Sequence, residues 1–269
     1  MDLKPRAAGD EVTFSQSRSR RSAGRLLIIA ASLTLAIPTA GRAGIVGHWT
    51  FDAVTDTTTA DDSGNNRDGT LSAVQGGSLP ELISHGISGN ALRFNGSNYV
   101  RLTNTSGLEF LNGGFSIAAW VRYNGGGNEY FIFSKHSGFW QNGYFLSIGY
   151  WWNYLEYANR ANFYFNEDST RVLSPVCPAY NDGRWHFVVG TNDGQTGTLY
   201  VDGIAVGSNS GRPVQANGVE MLVGGVFTNQ GTFVSGFVGD IDEVAVYDYA
   251  LSPTEIGAIY IGTEYGVCK

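Results

Sequence analysis

The most constraining feature of the sequence is a period of two. In Phe115 to Arg122 the residues Phe115, Ile117, Ala119 and Val121 fall on one side, and Trp120 and Arg122 on the other. Trp185, Phe187 and Val189 repeat the pattern, as do Leu92 with Phe94, Val100 with Leu102, and Val244 with Val246. Alternation over short runs describes a strand with one buried face, since successive side chains on an extended backbone point to opposite sides. Gly, Asn and Asp clusters bound the runs, and Asp202-Gly203 between Leu199-Tyr200-Val201 and Ile204-Ala205-Val206 supplies the positive-φ pair of a type I′ hairpin. Asn95-Gly96-Ser97-Asn98 marks another turn, between two strands. In the first strand, Ile45, Gly47, Trp49 and Phe51 share one parity. One helix is expected, where Ser252-Pro253-Thr254-Glu255 forms a capping box ahead of Ile256, Ile259 and Tyr260, packed on the rim of the strands.

Composition agrees. The 269 residues include 37 Gly and 35 aromatics but only 41 charged residues, which excludes a disordered or collagen-like chain. The net charge of -7 divides unevenly. Residues 1–43 carry 7 basic and 3 acidic side chains, a balance of +4, so the remainder stands at -11. A module so acidic is a poor partner for nucleic acid, which needs a basic face.

Arg18 to Arg25, the apolar run Leu26 to Ile37 and the exit Gly41-Arg42-Ala43 read as the three regions of a secretory signal peptide, residues 1–43, with cleavage after Ala43. An uncleaved anchor is the alternative, although the run is short for a membrane span. After cleavage no transmembrane span is expected, and the protein is placed outside the cell, in the periplasm or at the cell surface. Residues 44–269 then fit one all-β sandwich. The two cysteines, Cys177 and Cys268, can pair in an oxidising compartment or stay as buried thiols.

Several segments carry a more specific signal. Gly47-His48-Trp49-Thr50-Phe51-Asp52, Asp61-Asp62-Ser63-Gly64-Asn65, Gly89-Asn90-Ala91-Leu92-Arg93-Phe94, Phe115 to Val121, Asp182 to Val189, Gly239-Asp240-Ile241-Asp242-Glu243-Val244 and Ala250 to Ile256 occur in order. This series resembles laminin G-like domains of the concanavalin A-like lectin/glucanase superfamily. The resemblance implies an all-β, two-sheet antiparallel jelly-roll sandwich with one short C-terminal helix, and a binding module whose ligand the fold does not fix.

Three kinds of chemistry are weighed. The acidic loop Asp61, Asp62 and Asn65, with Asp242 of the strand that the resemblance places nearby, offers oxygen donors for calcium; Asp242 shares parity with Val244 and Val246 and is expected to point inward. The bland alternative is turn capping by the same side chains. Between Phe139 and Phe165 rings interleave with amides, and Trp140, Tyr150, Trp151, Trp152 and Tyr154 are candidates for stacking on a neutral polysaccharide or glycoconjugate. Half or more of the rings in this stretch are expected to be core. Catalysis is not expected: the paired carboxylates of the superfamily's glucanases have no counterpart, no nucleophile elbow occurs, and the four histidines are scattered, with His186 expected on the outer face of its strand. The reading is a secreted carbohydrate-binding module with a calcium-supported loop; the alternative is a structural or adhesive domain for cell-surface protein partners, and a glycan-active enzyme is the minor alternative.

Overall fold

The computed structural model describes residues 44–110, 113–123, 130–136, 142–149, 159–166, 170–176, 180–210, 214–215 and 217–264. Residues 1–43, which the sequence leads one to expect as a signal peptide, and both cysteines, Cys177 and Cys268, lie outside the described residues.

Two antiparallel sheets face each other. Along the chain the strands are β1 (Ile45–Trp49), β2 (Thr58–Thr59), β3 (Gly69–Ala73), β4 (Glu81–Ser84), β5 (Asn90–Asn95), β6 (Asn98–Leu102), β7 (Phe115–Arg122), β8 (Tyr130–Lys135) and β9 (Tyr144–Ile148). They continue as β10 (Ala161–Phe165), β11 (Val172–Leu173), β12 (Trp185–Asn192), β13 (Thr196–Val201), β14 (Ile204–Ser210), β15 (Met221–Val223), β16 (Val226–Phe227), β17 (Phe233–Val234) and β18 (Val238–Tyr247). The first sheet has the order β14-β13-β12-β7-β18-β5-β4, with β1 also on β18; the second has the order β11-β10-β9-β8-β15-β6-β3-β2; β16 and β17 form a separate ribbon. Strands that follow one another do not always pair: β5 and β6, separated only by the 95–98 turn, belong to different sheets.

The core lies between the sheets. The β7 residues Phe115, Ile117, Ala119 and Val121 project into it, opposite Tyr144, Leu146 and Ile148 of β9 and Phe163 and Phe165 of β10. At ~25 cal/mol per Å² of apolar surface removed from water, each such ring contributes several kcal/mol. Two core rings demand glycines on the facing sheet. A Cβ at Gly190 would overlap Phe163, and one at Gly197 would overlap Phe165.

The outer face of the first sheet is closed by the helix α1 (Pro253–Glu264). Its cap is the expected box: Glu255 N donates to Ser252 Oγ at 3.3 Å while Ser252 N donates to Glu255 Oε2 at 2.8 Å. Tyr260 stacks on Trp120 at 5.5 Å and on Phe187 at 6.4 Å, over a cluster that includes Ala118, Val189, Ala245, Tyr247 and Ile256. The helix therefore covers a sheet face, where the sequence placed it on the rim.

Two β-bulges overturn parity readings. β18 shifts register on β7 between Asp242 and Ala245, and Glu243 adopts φ 49°. The extra residue brings Asp242 opposite Trp120 on the outer face, while Val244 still enters the core. Asp242 is buried, but away from the inter-sheet core to which simple alternation assigned it. A second shift, in β1 between Ile45 and Gly47, sends Ile45 to the outer cluster while Trp49 points inward.

Candidate functional site

The outer face of the first sheet is capped by α1; the outer face of the second sheet brings rings and polar groups together. Alternation divides the aromatic stretch cleanly. Tyr144, Phe163 and Phe165 enter the core, while Phe145 of β9 and Tyr164 of β10 lie on the opposite face. Those two rings stack at 4.7 Å with an interplanar angle of 4°. The Arg171 guanidinium sits 5.5 Å from both ring centroids, a cation–π arrangement. His136 meets Phe145 and Tyr164 edge-on at 5.3 and 4.9 Å, and Phe131 packs against Phe145 at 4.6 Å. Beside them Asn162 Nδ2 donates to Ser147 Oγ at 2.9 Å, both residues wholly buried. Further along the same sheet Tyr99 of β6 stacks on Phe233 at 5.0 Å and meets Phe227 edge-on, with Arg101 over Tyr99 and Phe227.

The five ring positions singled out from the sequence lie outside the described residues: Trp140 in the connection from β8 to β9, and Tyr150, Trp151, Trp152 and Tyr154 in that from β9 to β10. Both connections join strands of this sheet. Sequence reasoning passed over His136 and Arg171, because nothing in their local sequence ties either one to rings on neighbouring strands.

The four candidate calcium donors are bound within the protein. Asp61 Oδ1 accepts from His48 N at 2.9 Å and Ser63 N at 3.0 Å, and its Oδ2 from Arg67 N at 3.0 Å. These donors, with the Ser63 side chain, hold its carboxyl below the usual range although burial opposes them. Asp62 Oδ2 accepts from the Thr50 hydroxyl at 2.8 Å. Asn65 donates to Ser63 Oγ at 3.0 Å and Ile45 O at 3.4 Å. Asp242 accepts from Ser88 N at 3.2 Å and Glu243 N at 2.8 Å; burial pushes its carboxyl up to about 8, the neighbouring Glu243 adding to the shift and the N–H groups opposing it. Glu243 itself pairs with His48 Nε2 at 2.8 Å. Among the described residues no group of three His, Cys, Asp or Glu is placed to hold a metal ion.

His186 departs from expectation too. It lies opposite Val121, on the parity of Val188 rather than of Trp185, at the entry of β12. Its Nδ1 meets Asp202 Oδ2 at 2.9 Å and its Nε2 meets Asp182 Oδ1 at 3.1 Å, with Tyr180 edge-on at 5.3 Å. This is a clasp between a loop and the β13–β14 turn, where Asp202 has φ 51°.

A family model described as the concanavalin A-like lectin/glucanases superfamily matches residues 94–257, more than half of the chain. The chain belongs to the concanavalin A-like lectin/glucanases superfamily. Among solved structures of similar fold, domain 4 of AbnA, a GH43 extracellular arabinanase from Geobacillus stearothermophilus in complex with arabinotriose, is 21% identical, with TM-score 0.60 over 81% of this chain and 98% of that one. The binding domain of Paraclostridial Mosquitocidal Protein 1 is 14% identical, with TM-score 0.60 over 81% of this chain and 52% of that one. The binding domain of Botulinum Neurotoxin DC in complex with SialylT is 15% identical, with TM-score 0.57 over 82% of this chain and 52% of that one. The chain thus spans about half the length of both toxin domains, and at these identities the likeness is one of fold. Comparison with curated proteins gives no match. Among the described residues no helix is long and apolar enough to cross a membrane.

Proposed function

We propose that this protein is a secreted, non-catalytic binding module that recognises a carbohydrate at the outer face of the second sheet. The observation that carries the reading is the asymmetry of the two outer faces. One is covered by α1, whereas the other has a buried floor of Phe145, Tyr164, His136 and the Asn162–Ser147 pair, with the half-buried Arg171 over the two stacked rings. Rings that stack on sugar C–H faces, next to amides and hydroxyls that fix orientation, are the chemistry a glycan needs. Phe145 and Tyr164 are buried, so they form a floor, and the proposed contact surface is Trp140 with the 150–154 rings in the connections of that sheet. Solved structures of this fold in complex with arabinotriose and with SialylT support the reading by analogy.

Retention on a panel of polysaccharides and glycoconjugates tests it. The wild-type protein is expected to bind at least one, and Trp151→Ala and Arg171→Ala are each expected to weaken that binding by about tenfold, a change of ~1.4 kcal/mol. Failure to bind any glycan would refute the proposal and leave the adhesive, protein-binding reading. Release of reducing sugar would refute its non-catalytic part.

Calcium enters the proposal as a support for the loop around Asp61, with Asp242 as the carboxylate that most needs a cation. A buried carboxyl pushed up to about 8 is relieved when a divalent ion stabilises its charged form.

A further inference from the structure

A separate cluster stands at the end of β8, away from the face described above. Lys135 is 1% exposed. Its Nζ lies 2.9 Å from Glu109 Oε1, 3.0 Å from Val219 O and 3.4 Å from Asn217 Oδ1. The three side chains come from β8, from the loop before β7 and from the segment leading into β15. Rings surround them: Tyr144 pairs with Lys135 across β8–β9, gives its hydroxyl proton to Leu108 O at 2.8 Å, and packs on Phe110, Phe115 and Phe133.

The Asn217 amide is fixed at every polar atom. Its Nδ2 donates to Lys135 O at 3.0 Å and Asn142 O at 2.7 Å, and its Oδ1 accepts from Val219 N at 3.2 Å. Gly143, at φ 131°, leaves no room for a Cβ beside that amide. Such an amide has what acyl transfer requires: an amine beside it, a carboxylate on that amine, an N–H on the carbonyl oxygen, and two carbonyls that accept from the departing nitrogen.

We propose that Lys135 and Asn217 form an intramolecular isopeptide bond, with Glu109 as the catalytic acid–base. Glu109 takes a proton from the Lys135 ammonium, and the freed Nζ lone pair attacks Asn217 Cγ. The new Nζ–Cγ bond forms as the carbonyl electrons move onto Oδ1, which Val219 N–H stabilises. Glu109 gives the proton it holds to Nδ2 and takes the second proton from Nζ; the electrons on Oδ1 re-form the carbonyl as the Cγ–Nδ2 bond breaks, and the departing ammonia takes that second proton from Glu109 and leaves as ammonium. The product is a secondary amide, and no oxidant or other reactant is consumed. The bond would join the end of β8 to the segment that leads into β15.

The test is peptide mapping and intact mass of the folded, full-length protein. The expected result is a deficit of about 17 Da, one ammonia, a branched tryptic species joining the peptides of Lys135 and Asn217, and no cleavage after Lys135. Glu109→Gln and Lys135→Arg are expected to abolish the deficit and the branched species. An unmodified mass with normal cleavage after Lys135 overturns the proposal. So does the same deficit on a linear peptide of Asn217 with Lys135 still cleavable, because that is a succinimide formed with the backbone nitrogen of Gly218.

Discussion

Replacing His186 with Ala should cost stability in a way that depends on pH. In the wild-type protein the imidazole touches a carboxylate at each nitrogen, Asp202 at 2.9 Å and Asp182 at 3.1 Å, and only the doubly protonated ring donates to both. Burial works against that charged form, but the hydrogen bond and charge of Asp202, then those of Asp182, outweigh it and raise the His186 value above the usual one. The groups facing the ring are these two carboxylates and Tyr180; Arg184 sits behind Asp182 at 3.7 Å. A charge-assisted bond is worth ~1.5–3 kcal/mol when desolvated. Asp202 is 32% exposed and Asp182 41%, so the first bond falls at the low end of that range and the second nearer the value of a surface pair. Together they give about 2 kcal/mol, which for a domain of this size is a midpoint shift of ~4–8 °C. Because the folded value is raised, this stabilisation is complete below the ordinary histidine value and is lost as pH rises through the folded one. Asp242, raised to about 8, titrates in the same range. The informative quantity is therefore the difference between wild-type and His186→Ala melting midpoints, compared at about pH 6 and about pH 10. It should shrink to a packing residue at the higher pH. An equal difference at both would show that the ring acts by packing alone.

Two further perturbations probe the core and the acidic loop. Gly190→Ala places a methyl against Phe163, whose ring is fixed among core neighbours, and should destabilise by ~1–3 kcal/mol in chemical denaturation; a neutral result would mean that the sheets can part at that point. Asp61→Ala leaves the N–H groups of His48, Ser63 and Arg67 without their acceptor and should cost about 3 kcal/mol at neutral pH in chelator, and more in calcium if the cation is held there. Melting in calcium against chelator, repeated in Asp242→Ala, tests the cation: a shift in the wild-type midpoint that the variant loses supports it, and identical midpoints exclude it.

The sequence alone determined the alternation of β7, the type I′ turn at Asp202-Gly203 and the capping box at Ser252, because each is a local event: pleat geometry, positive φ and a satisfied helix end act within a few residues. It also determined the superfamily, through seven ordered segments. What it could not determine were events that need two strands at once. A bulge is an extra residue on one strand measured against its partner, so the turn of Asp242 to the outer face exists only once β18 lies on β7. The parting of β5 and β6 into different sheets, the placing of α1 over Trp120 and the meeting of Arg171 with Phe145 and Tyr164 are of the same kind. So is the approach of Lys135 to Asn217, from a position 82 residues away. Such contacts carry no local signature in the chain, since burial and packing between the sheets select them, and that selection is what tertiary structure adds.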